Sequence, residues 1–493
     1  MRFSRRVHRD STQEDMGAVV MLCCLALALP VRAESPGAKT PALQGPWLGT
    51  LKVPPATELR VVFNITAHPD GSFTGTLDSP DQGATGIAIS RISLEQRRVV
   101  VEVGAIGGRY EGTLSEDGST IDGKWVQGGA ALDLVMKRVK EAPRPRRPQE
   151  PQKPYPYVDE EVSYPNAKDG LKLAGTLTMP RTGGPFPAVL LITGSGAQDR
   201  DETVFAHRPF LVLADFLTRR GIAVLRVDDR GVGGSTGDAS QATSEDFARD
   251  VLAGIEYLKT RKEIDPKRLG LIGHSEGANI APLVATQSKD VAFIVLLAGT
   301  GITGDLIIEK QIVNVLKSQG ADQALIDLSL QSQRQVVDVI KHETDPNVLR
   351  EKVRQIVTRA VARLDDKQKQ AIQYQDGYVE GQVRAAASKW LRFFLMHDPT
   401  TVLRKVTCPV LALNGALDMQ VPAGDNLPRI EQALREGGNA HFAVKELPGL
   451  NHLFQRAQTG NLDEYAKIEE TMAPLALETV ANWIETQVLP KKK

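Results

Sequence analysis

Cysteine is almost absent from this chain. Of three cysteines in 493 residues, Cys23 and Cys24 sit in an apolar run near the N-terminus, leaving Cys408 alone in the remainder. A chain that loses that run on export could form no internal disulfide. The neighbours Pro409, Val410 and Leu411 place Cys408 at a buried strand rather than in a reactive setting. Net charge is also lacking: 60 Lys and Arg balance 60 Asp and Glu. That balance excludes the basic footprint of a nucleic-acid partner or of a strongly basic membrane surface. There are only 8 histidines, and no His/Cys cluster stands at metal-ligand spacing, so neither a metal nor a cofactor is expected. Beyond the N-terminus no apolar run is long enough to cross a bilayer, and no transmembrane span is expected in the mature chain.

The N-terminus itself has the pattern of an export signal. Arg2, Arg5, Arg6 and Arg9 precede the apolar run from Met16 to Pro30, and Val31-Arg32-Ala33 offers small residues at the two cleavage positions. Residues 1–33 are therefore expected to be a signal peptide and the mature protein periplasmic or secreted. Glu14 and Asp15 interrupt the pattern, and Met16 is an alternative start that would lose the basic flank. The residues after Arg5-Arg6 do not support twin-arginine export.

Three compositional regimes follow. Residues 44–140 alternate short β-like runs with glycine and aspartate turns, in eight expected strands from Trp47–Val53 to Ala131–Lys137, one of them Gly86–Ile92. Such even spacing predicts a small antiparallel barrel-like domain closed to hide its edges, either packed solid or hollow enough for an apolar ligand. Residues 141–157 carry prolines at a density that predicts an extended, solvated linker. From residue 158 to 493 strands alternate with helices, which predicts an α/β fold with a mostly parallel sheet covered on both faces. Between Leu297 and Cys408 the alternation stops. Apolar spacing there predicts helices over Leu306–Leu316, Ala324–Ile340, Pro346–Leu364 and Gly377–Met396. This helical cap, about 302–400, is expected to act as a lid over the site.

The α/β part is organised around residues 268–285, RLGLIGHSEGANIAPLVA. An apolar strand ends at Gly273, a single turn holds Ser275, and a helix of small residues begins at once. Glycines two residues to either side of the serine leave room for a sharp strand-turn-helix elbow that lifts a hydroxyl off the end of the sheet. A second match to the same short pattern, Gly233 to Gly237 around Ser235, lacks both the abutting strand and the following helix. Only Ser275 has the context of a nucleophile.

A serine needs a base, and the base needs an orienting group. On such a fold the order is Ser, acid, His. Asp418 follows the strand 410–414, and His452 follows a strand ending near Leu447; Asp425 is the rival acid. His274, inside the elbow, must point elsewhere, and His207 could line the pocket. The oxyanion hole needs two N–H donors. The candidates are Glu276, next to the nucleophile, and Ser195 or Gly196 in the loop after the strand Ala188–Ile192.

Taken together, Gly194-Ser-Gly-Ala-Gln-Asp-Arg-Asp-Glu-Thr203, Asp229-Arg-Gly-Val-Gly-Gly-Ser235, the Gly273–Gly277 elbow and Gly449-Leu-Asn-His452 resemble the α/β-hydrolase superfamily. They are similar to bacterial carboxylesterases often grouped with serine aminopeptidase-like hydrolases. The resemblance covers residues 158–493 and implies the triad Ser275, Asp418 and His452. It also implies a structural role for Asp199-Arg200-Asp201 and Asp229-Arg230. Thr193 departs from the pattern, standing where many members have histidine before the oxyanion glycine. The expected function is an exported serine hydrolase acting on small-molecule carboxylic esters. One alternative is a serine aminopeptidase on the same triad, with Glu276 as a candidate anchor for a free amine. Another is a non-catalytic envelope protein that binds lipid or glycan.

Overall fold

A computed structural model describes residues 43–53, 57–80, 84–127, 130–141, 146–372, 374 and 377–488. The expected signal peptide, with Cys23 and Cys24, lies outside the described residues. The chain divides into two compact units, with the sequence boundary between Arg146 and Arg147.

The first unit is an antiparallel sheet of nine strands. In chain order these are β1 Gly45–Val53, β2 Thr57–Ala67, β3 Phe73–Ser79, β4 Ala84–Ala88, β5 Arg91–Glu95, β6 Arg98–Val103, β7 Gly108–Leu114, β8 Thr120–Gln127 and β9 Ala130–Arg138. They pair in the order β4-β3-β2-β1-β9-β8-β7-β6-β5. The run expected as a single strand over 86–92 is two strands, because the chain changes partners at Ile89 and Ser90. Ile89 N–H bonds to Gly75 of β3, and Ser90 N–H bonds to Glu102 of β6. The two ends of the sheet are thus joined by consecutive residues, which curls it into a barrel-like form. Its interior is filled by Trp47, Phe63, Tyr110 and Trp125. Glycine makes room for them: a Cβ on Gly108 would stand 2.3 Å from the Trp125 ring. The Tyr110 hydroxyl donates to the carbonyl of Ile121 at 2.9 Å and also reaches that of Leu134 at 3.1 Å.

The second unit is an eight-stranded sheet, comprising β10 Val158–Asn166, β11 Leu171–Met179, β12 Phe186–Ile192, β13 Ala223–Val227, β14 Ile264–His274, β15 Val291–Leu297, β16 Val410–Gly415 and β17 Phe442–Leu447. The order is β10-β11-β13-β12-β14-β15-β16-β17. From β13 to β17 neighbours are parallel, while β11 runs antiparallel to both β10 and β13. Every residue of β12 is buried. Its side chains alternate between two cores, Ala188, Leu190 and Ile192 to one and Val189 and Leu191 to the other. A strand apolar on both faces fits a sheet sandwiched between helices. The helices α1 Pro209–Arg219, α2 Ser244–Thr260 and α3 Glu276–Ala285 supply part of that cover. Because β12 lies between β13 and β14, the chain leaves it in both directions, and the loops after β12 and β14 open beside one another. Ligands bind at such switch points.

The cap has a core of its own, built from Ile312, Val336, Val353, Leu391 and Leu395 among others. Its helices are α4 Gly304–Ser318, α5 Gln323–His342, α6 Pro346–Val361, α7 Asp366–Ala371, α8 Tyr378–Ala386, α9 Lys389–Met396 and α10 Pro399–Leu403. The segment 377–396, expected as one helix, is two. Ser388 accepts the N–H of Leu391 at 3.1 Å and so caps α9, which starts a new helix where the first one stops. After β16 come α11 Ala423–Glu436, α12 Leu462–Tyr465 and α13 Pro474–Val488. No helix among the described residues is long and apolar enough to cross a membrane.

Proline density in the linker region does not translate into a solvated chain from Arg147 onward. Arg147 donates to the carbonyls of Phe205, Ala466 and Ile468, each at 3.0 Å. Gln149 bonds to Thr471 and Met472, Glu150 pairs with Arg208, and the buried Tyr157 donates to Asp215 at 2.9 Å. Residues 147–157 belong to the α/β unit because their polar groups cap its loops.

Candidate active site

The elbow is made by close backbone approach. A Cβ on Gly273 would lie 2.0 Å from the Gly277 carbonyl oxygen, and one on Gly277 would lie 2.1 Å from that of Ile192. Only glycine fits at either position. Ser275 between them has φ 52° and ψ −114°, a region that costs a non-glycine residue energy and that clusters at functional sites. Its N–H bonds to the Leu297 carbonyl of β15 at 2.8 Å. From Leu271 to Ile280 every residue is buried except Ser275, which is half-buried. The elbow therefore presents one hydroxyl. Ser235, in the second short match, is buried, donates to the Asp228 carbonyl at 2.7 Å and accepts the Ala174 N–H.

Asp418 and His452 meet across two loops that interlock. A Cβ on Gly415 would stand 2.2 Å from the Leu450 carbonyl oxygen, and Leu417 N–H bonds to that same carbonyl at 2.9 Å. The acid loop holds its carboxylate with its own backbone: Asp418 Oδ1 accepts the N–H groups of Gln420 and Val421 at 2.9 and 2.8 Å. The other oxygen, Oδ2, lies 2.8 Å from His452 Nδ1. Buried Asn451 sets the histidine turn through the N–H groups of Leu453 and Gln455. The rival acid, Asp425, instead faces Lys310 of α4 at 2.9 Å. His207 is fully buried among Thr471, Tyr465 and Gln455, and burial together with nearby Arg147 pushes its pKa down to about 4.

The loop after β12 lies against the elbow. A Cβ on Gly194 would be 3.4 Å from that of Ser275. Among the described residues no chain acceptor is bonded to the N–H of Ser195, Gly196 or Glu276. Thr193 uses its hydroxyl on Asp229 at 2.8 Å. Asp229 also accepts the Gln198 N–H at 2.9 Å, so this threonine anchors the loop from below. Arg200 pairs with Asp228, and Arg230 with Asp169 and Asp250.

Two residues of the site, Glu276 and His274, make side-chain contacts that had no signal in the sequence. Glu276 Oε1 accepts the Ser244 hydroxyl at 2.6 Å and the indole N–H of Trp390, on α9 of the cap, at 2.7 Å. Burial raises the pKa of this carboxyl, with Ser244, Trp390 and Ser195 partly opposing the rise. His274, the residue before Ser275, bonds to Glu202 and to the His452 carbonyl. The cap is also tied to the acid loop: Gln311 and Asn314 donate to the carbonyls of Gln420 and Met419 at 3.1 and 3.0 Å. Cys408 lies just ahead of β16, half-buried, and burial pushes its thiol up to about 11.

A family model described as X-Pro dipeptidyl-peptidase (S15 family) matches residues 169–444. Esterase EstD of Thermotoga maritima is 27% identical over 282 residues, which is 57% of this chain and 58% of that protein. An uncharacterized protein of Mycobacterium tuberculosis is 33% identical over 127 residues, 26% of this chain and 41% of its own. The chain thus spans little more than half the length of the esterase and less of the mycobacterial protein. Among solved structures, Est1E from Butyrivibrio proteoclasticus with bound ferulic acid is 18% identical and has a TM-score of 0.39. That match covers 67% of this chain and 100% of the other.

Proposed function

This chain belongs to the X-Pro dipeptidyl-peptidase (S15) family, and from that membership and the geometry around Ser275 we propose a serine hydrolase that cleaves carboxylic esters through an acyl-enzyme. The observation that carries the proposal is the 2.8 Å contact between His452 Nδ1 and Asp418 Oδ2, beside an elbow that exposes one serine. With Nδ1–H held by the carboxylate, Nε2 is left without a proton and serves as the base.

Ser275 Oγ attacks the ester carbonyl while His452 Nε2 takes its proton. The carbonyl oxygen, now negative, is held by the N–H of Glu276 and by that of Ser195 or Gly196. Collapse of the tetrahedral intermediate breaks the ester C–O bond, and His452 returns the proton to the leaving alcohol. Water then attacks the acyl-enzyme with the same histidine as base, which frees the acid and restores the serine. No metal or cofactor takes part in any of these steps. The apolar run before Ala33, with its basic start, supports export of the enzyme.

A second reading, cleavage of peptide amides on the same triad, is favoured by the description of the family. Against an aminopeptidase stands the state of Glu276, the acidic anchor nearest the serine. The residue is 5% exposed and its Oε1 is already engaged by Ser244 and Trp390, so a substrate amine would have to compete with two buried hydrogen bonds. Parallel assay of p-nitrophenyl esters and X-Pro p-nitroanilides separates the two. Ester turnover well above anilide turnover supports the proposal; turnover of the anilides alone overturns it in favour of the peptidase.

A further inference from the structure

Glu202 and His274 touch three of the segments on which the proposed reaction depends, and that reaction uses neither side chain. Both are buried, 3% and 6% exposed. Oε1 of Glu202 accepts the Gly194 N–H of the oxyanion loop at 2.7 Å and meets His274 Nδ1 at 2.9 Å. The other ring nitrogen, Nε2, faces the backbone carbonyl of His452 at 3.0 Å. A carbonyl has no hydrogen to give, and Oε1 is already acting as an acceptor. With Glu202 ionised, a ring that satisfies both must donate from both nitrogens, which makes it an imidazolium. The charge balance agrees: burial opposes protonation, but the Glu202 carboxylate and its hydrogen bond outweigh it, and the ring titrates above its usual range. Glu202 is delivered by a tight turn, at φ 53°, with its N–H on the Asp199 carbonyl at 2.9 Å.

We propose that Glu202 and His274 are positioning residues: a buried charged brace that fixes the Gly194 peptide and the His452 backbone relative to Ser275, and so sets kcat rather than substrate affinity. The proposal rests on the serine-hydrolase reading above. Turning the Gly194 N–H toward Glu202 leaves the next N–H groups, of Ser195 and Gly196, for the oxyanion. Anchoring the His452 carbonyl while Asp418 anchors its Nδ1 holds that residue at both ends. Three ionisable groups face the His274 ring: Glu202 from the loop after β12, Asp418 from the acid loop, and His452, whose ring centroid is 4.9 Å away. The other ring against it, that of Phe454, is apolar. As a pair, carboxylate and imidazolium place no net charge beside the base. Removing the imidazolium alone leaves an anion there, which favours protonated His452.

The test measures kcat, KM and pH profiles on p-nitrophenyl butyrate for the full chain, Ser275→Ala, Glu202→Ala, Glu202→Gln and His274→Gln. Glu202→Ala should lower kcat about tenfold to a hundredfold, less than the roughly 10²- to 10³-fold that loss of an oxyanion donor itself costs, with KM within about twofold. Glu202→Gln keeps an acceptor for Gly194 and should recover most of that loss. His274→Gln should move the acid limb of the profile upward, and Glu202→Gln should not. Wild-type kcat in Glu202→Ala, beside an inert Ser275→Ala, overturns the brace. Activity retained by Ser275→Ala overturns the serine-hydrolase reading instead. If Glu202→Ala fails to fold, the glutamine variants decide, and wild-type rates and profiles in both overturn the proposal.

Discussion

Trp390 of the cap donates its indole N–H to Oε1 of Glu276 across 2.7 Å, so the residue that follows the elbow serine holds the cap by its side chain, while its backbone N–H has no backbone acceptor among the described residues. The Trp390 ring stacks on Phe394 with centroids 5.2 Å apart, which ties the contact into α9. Trp390→Ala should therefore change the preferred acyl length of p-nitrophenyl esters, with Ser275 still labelled by a fluorophosphonate. An unchanged length profile would count against the cap as a lid.

Glu276 gives a pH signature. Its carboxyl has a folded pKa raised above 4.5 by burial. The folded state therefore keeps a proton that the unfolded chain releases once pH exceeds that value, and stability falls as pH rises through the window between the two. Glu276→Gln keeps an acceptor for both donors and has nothing to titrate. In urea denaturation from pH 4 to 8, the glutamine variant should gain on the wild type as pH rises. Parallel curves would contradict this.

Two nearby aspartates separate role from position. Asp418→Asn should reduce kcat roughly 10³- to 10⁴-fold, because the histidine loses the group that fixes its tautomer. Asp425→Asn, which breaks a surface contact to Lys310, should stay within about twofold of wild type, in keeping with the small worth of exposed ion pairs. Equal losses in the two variants would remove Asp418 from its assigned role.

Glycine substitutions should divide as sharply. Gly277→Ala drives a Cβ into the Ile192 carbonyl and should abolish ester hydrolysis with a loss of more than about 2 kcal/mol in stability. Gly424→Ala, in α11 with nothing within 4 Å of the new carbon, should stabilise by up to ~1 kcal/mol. Thermal unfolding of the two variants reads both predictions.

Much of this architecture could be read from local pattern. The runs 171–179, 187–192 and 291–297 are apolar enough to betray buried strands, and Thr243 ahead of Asp246 marks the start of α2 through a capping box. The elbow was legible because two glycines and one serine must lie within five residues. Less visible was anything set by long-range contact. The division of 86–92 into β4 and β5 depends on partners in β3 and β6, and proline content gave no hint that Arg147 would bond to carbonyls near residue 466. Glu202 lies in a loop whose charged residues looked structural, and its contact with His274 spans 72 residues. Nothing in spacing or periodicity announces a pairing of that kind.

The most direct test of the account is hydrolysis of p-nitrophenyl esters over a range of acyl lengths by the wild-type chain and by Ser275→Ala in parallel, with fluorophosphonate labelling of both. The account predicts turnover and a single label in the former, and neither in the variant. Equal turnover by both proteins, or a label that survives the substitution, would contradict the assignment of Ser275 as the nucleophile.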